Sequence, residues 1–271
     1  MPPYTLSHPR PGGKSVSSAG FHATRPQTLM KYFALTLGWA LAGIAACKEK
    51  NPPMAEPTHP RAAAAAARVR PALQRDLTAA GLAFGDPVFL RAFKEERQLE
   101  LFVHNRQSGK FHLFRSYPIA AASGELGPKL TEGDGQVPEG FYQVPPAAMK
   151  PDSRYHLAFN LGYPNAFDRA LGRTGSLIMI HGNRVSIGCL AMTDEKIEEI
   201  YTLCAAAHAN GQAMFRVHVF PFRMTAARMA NAAGSKWQAF WKNLQQGYDR
   251  FEKSHVPPEV SVRDGLYQFS E

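Results

Sequence analysis

Between residues 87 and 220 the apolar side chains fall in short runs of about four to nine, each closed by turn chemistry, and few architectures accommodate that. Strand-length stretches stand at 87–93, 99–103, 110–117, 141–144, 154–161, 176–181 and 213–220. The charged turn Lys94-Glu95-Glu96-Arg97 separates the first two. Residues 123–140 carry Gly124, Gly127, Gly133, Gly135 and Gly140 with Pro128 and Pro138, and read as loop. Alternation within 110–117 predicts Phe111, Leu113 and Arg115 on one face, with His112 and Phe114 on the other. The nearly all-apolar stretch 176–181 is expected at the centre of a sheet.

Helices are expected at the margins. Residues 72–80 form a short one, stopped by Gly81. Thr193 is the expected cap of another, with Asp194 and Glu195 in its first turn and Asn210-Gly211 at its end. Cys204 shares helical spacing with Ile197, Ile200 and Tyr201, which makes it a core residue. Residues 226–232 and 236–246 follow as helices, the second with Trp237, Phe240, Trp241 and Leu244 on one stripe, and the tail from Val256 lies across the domain. The expected fold is mostly β, sheet or barrel-like, with appended helices (α+β).

Composition matters chiefly through where the charge lies. Of a net charge of +9, residues 1–70 hold +7, from nine Lys/Arg and two acids. The remainder is nearly neutral and shows no nucleic-acid footprint. Met30-Lys31 precedes fifteen uncharged residues, Tyr32 to Ala46, which close as Leu41-Ala42-Gly43-Ile44-Ala45-Ala46 before Cys47, the form of a secretory signal and short of the ~20 residues of a membrane span. Residues 1–47 are therefore expected to be an extension plus a signal or lipoprotein signal, with Met30 as the true start. The end of that segment resembles a lipobox, which would make Cys47 a lipidation site and possible membrane anchor, and the protein exported and periplasmic. Residues 48–71, with Pro52, Pro53, Pro57, Pro60 and six consecutive alanines, are expected to be a linker, helical within 62–67, and 72–271 the globular domain. The cysteines Cys47, Cys189 and Cys204 are too few and too far apart for a disulfide framework.

The segment Ile180-His181-Gly182-Asn183-Arg184-Val185-Ser186-Ile187-Gly188-Cys189 sets an imidazole at the end of an apolar run and a thiol eight residues later. A histidine in reach of a cysteine on a glycine-bearing loop has the parts of an activated nucleophile. The loop 186–189 could offer N–H donors to an oxyanion. Alternatives stand beside that reading: a buried thiol and a hydrogen-bonded histidine in a core, or zinc ligation. Zinc sites commonly draw three or four ligands from close pairs such as C-x₂₋₄-C, and the cysteines here stand far apart, which leaves zinc the weaker alternative.

His181-Gly182 followed by Ser186-x-Gly188-Cys189, with Pro138-Glu139-Gly140-Phe141-Tyr142 upstream, resembles the signature of the YkuD-type L,D-transpeptidase domain. Residues 72–267 are similar to its YafK-like branch, through Gly133-Asp134-Gly135-Gln136, Phe159-Asn160-Leu161-Gly162-Tyr163-Pro164-Asn165 and Pro221-Phe222-Arg223-Met224. The resemblance implies a β-sandwich or barrel-like domain with Cys189 as nucleophile, His181 as general base, and Ser186, Gly188 and Cys189 in the oxyanion loop. It implies peptidoglycan stem peptides containing meso-diaminopimelate as substrates, no cofactor, and release of a peptidoglycan-linked outer-membrane lipoprotein by hydrolysis. Cross-linking by transpeptidation, and a non-catalytic peptidoglycan-binding module, are the rival readings. Gly182, Arg184, Tyr155, His156, Asn160 and Tyr163 are candidate substrate contacts. The family commonly has an arginine two residues after the cysteine, where this chain has Ala191; Arg184, Arg173 and Arg154 are candidates to replace it.

Overall fold

The computed structural model describes residues 59–270. The expected extension, signal and lipidation site at Cys47 lie outside the described residues, as does the first part of the expected linker.

In chain order the elements are α1 (Pro60–Ala79), β1 (Val88–Phe93), β2 (Gln98–Asn105), β3 (Lys110–Pro118), β4 (Ala121–Ala122), β5 (Gly140–Val144), β6 (Met149–Lys150) and β7 (Ala158–Asn160). Then come α2 (Ala166–Ala170), β8 (Met179–His181), β9 (Leu190–Ala191), α3 (Asp194–Ala209), β10 (Phe215–Phe220), α4 (Ala226–Asn231), α5 (Gln238–Ser254), β11 (Glu259–Arg263) and β12 (Leu266–Ser270). One sheet runs β3-β2-β1-β10-β5, with β1 and β10 parallel and the rest antiparallel. The second runs β4-β9-β8-β7-β6, with β8 and β9 parallel; β11 and β12 form a hairpin. The arrangement is α+β, with β8 central in its sheet as its apolar run predicts.

Alternation along β10 explains the layers. Phe215, Val217 and Val219 face a core shared with Leu90 and Leu101 of the first sheet, Phe159, Ile180 and Leu190 of the second, and Leu73, Leu77, Ile197 and Cys204 of α1 and α3. Phe220 on the other face meets Phe93, Phe141, Trp241, Leu244 and Tyr248, which docks α5. Between them His218 is buried edge-on against Phe89 and Phe141, with centroids 4.6 and 4.7 Å away.

Several expectations change. The helix expected at 72–80 begins at Pro60, so the linker reading of 60–71 gives way to a 20-residue helix. The interior Pro71 costs about 3 kcal/mol, yet Ala62, Ala65, Leu73 and Leu77 bury against the core, and alanine is the strongest helix former. Arg115 does not share a face with Phe111: a bulge opposite Leu101/Phe102 turns Arg115 towards Asp76 and Glu199, and leaves Leu113 exposed. The strands expected at 154–161 and 176–181 shorten to β7 and β8, because His156 and Leu177 take left-handed backbone angles. Thr193 stands at the N-cap of α3 but with φ 74°, and makes no side-chain cap bond. The last helix extends to Ser254, and the tail is a hairpin.

Burial, then the charges of Arg216 and Arg91, hold His218 well below the ordinary histidine pKa. The unfolded chain binds a proton near pH 6.5 and the folded chain does not, so stability is full above that pH and declines as pH falls below it. The thermal unfolding midpoint is expected to drop between pH 7 and 5, and His218→Leu to lessen that drop; equal pH dependence in both proteins would remove His218 as a cause.

Candidate functional site

β8 and β9 are parallel neighbours joined by only eight residues, 182–189, where such pairs ordinarily need a crossover of a dozen or more. The connection turns sharply at Asn183 (φ 64°) and Gly188 (φ 109°). Gly182 has no room for a side chain: a Cβ would stand 2.5 Å from Asp194 Oδ1 and 2.8 Å from the Tyr155 carbonyl. The register pairs Ile180 with Leu190 and His181 with Ala191, so Cys189 comes beside Met179. Strand alternation then puts Cys189 and His181 on the same face as diagonal neighbours on adjoining strands.

His181 is 3 % exposed, and its Nδ1 lies 2.5 Å from the Gly182 carbonyl. A carbonyl can only accept, so Nδ1 carries the proton and Nε2 keeps its lone pair. The Tyr155 ring covers the imidazole, tilted by 32° with centroids 4.8 Å apart. Burial lowers the His181 pKa, with the Gly182 carbonyl opposing. The half-buried Cys189 Sγ accepts the Met179 N–H at 3.4 Å and directs its own proton to the Leu177 carbonyl at 3.7 Å. Burial raises its pKa, opposed by the Met179 N–H and by the charge of Lys129. Both groups are therefore neutral near pH 7, and a proton must move during attack on a substrate rather than before it.

The loop N–H groups are already engaged. Gly188 donates to Ser123 Oγ at 2.6 Å and Cys189 to Ser186 Oγ at 3.1 Å. Ser186 donates in turn to the Cys189 carbonyl at 2.7 Å, and Ser123 to Gly135 O at 2.7 Å. The expected donors at Gly188 and Cys189 thus carry hydroxyl caps that a substrate oxygen would have to displace. Ser123 was not visible in the sequence. Pairing of Ala121 with Ala191 brings it there from far along the chain.

The other candidates divide. Tyr155 belongs to the site. His156 does not: its Nε2 lies 2.8 Å from Glu198, which also holds Arg68. Arg61 of α1 donates to the carbonyls of Ser153 (2.6 Å) and His156 (2.7 Å), so the helix once expected as linker clamps the segment that sets Tyr155 over His181. Asn160 accepts the Gly162 N–H and shapes a turn, and Tyr163 donates from burial to the carbonyls of Lys129 and Thr174. Arg184 is exposed on the connecting loop. Of the substitutes for the arginine absent at the fully buried Ala191, Arg173 is bound to Asp168 at 2.9 Å and Arg154 is exposed. None of the three takes that place; the buried Lys129, bonded to Asp134 at 2.5 Å and to the Thr131 carbonyl, adds only the smallest of the influences on the Cys189 thiol. Among the described residues no group of three His, Cys, Asp or Glu could hold a metal ion.

Residues 88–219 match the L,D-transpeptidase catalytic domain of the YkuD family. The chain is 48% identical over 186 residues to the provisionally named L,D-transpeptidase YafK of Escherichia coli (strain K12), covering 69% of this chain and 75% of that protein. The chain belongs to the L,D-transpeptidase family. The YafK of Escherichia coli O157:H7 matches at the same values. Among solved structures, the helical cell shape determining protein Pgp2 from Campylobacter jejuni aligns with a TM-score of 0.41 at 19% identity, over 66% of this chain and 73% of that one. Bd1075 of Bdellovibrio bacteriovorus aligns with a TM-score of 0.35 at 17% identity, over 66% and 78%. Neither structural likeness bears on the chemistry. The matched segment, residues 88–219, includes both His181 and Cys189.

With its thiol held above the ordinary range, Cys189 is expected to react with iodoacetamide at a rate that keeps rising to pH 9 and beyond. The fully buried Cys204 stays unlabelled in the folded protein. A plateau reached by pH 7, read from labelling rates by mass spectrometry, would show a preformed thiolate instead.

Proposed function

We propose that this domain is a cysteine acyltransferase of peptidoglycan stem peptides that passes its acyl group to water. The observation that supports it most is the pairing of Cys189 and His181 on one face, with Nδ1 of His181 held by the Gly182 carbonyl. Sγ attacks the carbonyl at the L-centre of meso-diaminopimelate while Nε2 of His181 takes the thiol proton. The negative oxygen is met by the Gly188 and Cys189 N–H groups as the Ser123 and Ser186 hydroxyls give way. The C–N bond then breaks, the leaving amine takes the proton from His181, and a thioester remains on Cys189. Water, deprotonated by the same imidazole, attacks the thioester and restores the thiol.

Hydrolysis rather than transfer is supported by the short cover over the site. Only eight residues join β8 to β9, Cys189 is half-buried, and Ile187 beside it is 86 % exposed, so water reaches the acyl group. The bond proposed for cleavage attaches a lipoprotein to the meso-diaminopimelate residue. Transpeptidation that forms cross-links or lipoprotein attachments is the second reading, favoured by the family name alone.

Incubating the purified protein with lipoprotein-linked and free tetrapeptide muropeptides, and reading products by mass spectrometry, separates the two. Released lipoprotein peptide without new dimers is expected. Cys189→Ala should abolish turnover and His181→Ala lower it by about 10²–10⁴-fold, whereas full turnover by Cys189→Ala would end both enzyme readings.

Export to the periplasm with a lipid on Cys47 completes the proposal, motivated by the uncharged segment that ends at that residue. A fatty-acid probe should label the exported wild-type protein and not Cys47→Ser; unlabelled, exported wild type would exclude the anchor.

A further inference from the structure

A groove of about 540 Å³ lies between the loop 124–136 and the start of α5, lined by Trp237, Lys236, Glu125, Asp134 and Gln136 among others. We propose that it binds a saccharide: the amino sugar of the glycan strand from which the stem peptide hangs. The inference rests on the proposed function for the identity of the sugar, and on the groove itself for its chemistry.

Trp237 is the floor. Unlike Trp241, which is 3 % exposed and spends its indole N–H on Glu139, Trp237 is only half-buried. Its indole lies so close to Gly127 that a Cβ there would stand 2.3 Å from Nε1, so glycine is needed for the ring to settle at this depth. Pyranose rings present a face of C–H groups and a rim of hydroxyl and acetamido groups. An indole with one apolar side matches the face, and hydrogen-bonding side chains match the rim. Glu125 stands exposed on the loop wall with its carboxylate free, while the exposed Lys236 lays its ammonium over the Trp237 ring, 5.0 Å from the centroid, so a sugar face meets the indole as that flexible side chain swings aside to the rim. Asp134 and Gln136 are engaged within the loop and act as structure: Asp134 accepts from Lys129, Leu130 and Thr131, and Gln136 donates to Glu125 O and Gly127 O.

The groove is therefore formed before any ligand arrives, which spares the cost of ordering a loop. It also adjoins the nucleophile. Gln136, on the groove, brings its carbonyl within 3.4 Å of where a Gly188 Cβ would stand, and Ser123, next to Gly124 of the groove, holds the Gly188 N–H. A sugar in the groove would lead its peptide towards the loop that carries Cys189; three extended residues reach about 10 Å.

The test titrates the full-length protein with chitotetraose, an amino-sugar oligomer without peptide, by isothermal calorimetry. Binding is expected near the millimolar range, weakened at least tenfold in Trp237→Ala and a few-fold in Glu125→Gln, which sits clear of the packing. In turnover, Trp237→Ala should raise KM about tenfold on a disaccharide-linked stem peptide and leave KM on the sugar-free peptide unchanged. No heat with chitotetraose, or an equal rise of both KM values, would overturn the saccharide site, the second outcome pointing to the peptide as the groove's occupant. Absence of turnover on either substrate would count against the proposed reaction alone, since the calorimetry does not depend on it.

Discussion

A carboxylate with no exposed surface holds the molecule's working parts in register. Glu139 accepts the Gly127 N–H at 2.7 Å and the Trp241 indole N–H at 2.8 Å, and pairs with Lys94 at 3.1 Å. Lys94, buried at the end of the first sheet, donates further to the carbonyls of Gly127 and Val137. Burial alone would push the Lys94 pKa down, and the charge of Glu139 opposes it. Removing either ion from such a pair costs about 3–5 kcal/mol, because the other is left buried without a counter-charge. One cluster thus binds sheet edge, α5 and the loop 123–137.

The nucleophile depends on that loop. Its connection from β8 to β9 is too short to hold itself by regular pairing, and two of its N–H groups are satisfied by hydroxyls, one of which comes from Ser123. The imidazole depends on the opposite flank, where Arg61 and the Arg68–Glu198–His156 chain fix the segment carrying Tyr155. Cys189 and His181 are thus supported from opposite ends of the described chain: α1 behind the base, and α5, through Glu139, behind the nucleophile loop.

Local patterns read well where one constraint dominated. The acidic first turn and Asn210-Gly211 stop bounded α3, and the apolar run at 176–181 placed β8 in mid-sheet. They failed where two constraints competed. Pro71 signals a break, but burial of Ala62, Ala65, Leu73 and Leu77 overrides it. Alternation in β3 fails at its bulge, which only the partner strand reveals. Of the residues singled out from the sequence, the fold brings His181, Cys189 and Tyr155 together, whereas His156 and Tyr163 are ties within the fold, and Ser123 carried no local signal.

The chain's own order of residues determined which groups can do chemistry: an imidazole and a thiol on a loop whose glycines allow φ 109° at residue 188 and a side-chain-free approach at residue 182. Those are short-range properties, written into nine consecutive positions, 181–189. Tertiary structure decided the direction of the pKa shifts, the tautomer and the capped N–H groups. Burial and the cap from Ser123 come from parts of the chain far away, and even the near partners Gly182 and Ser186 reach His181 and Cys189 only through the folded backbone, which a linear sequence does not specify.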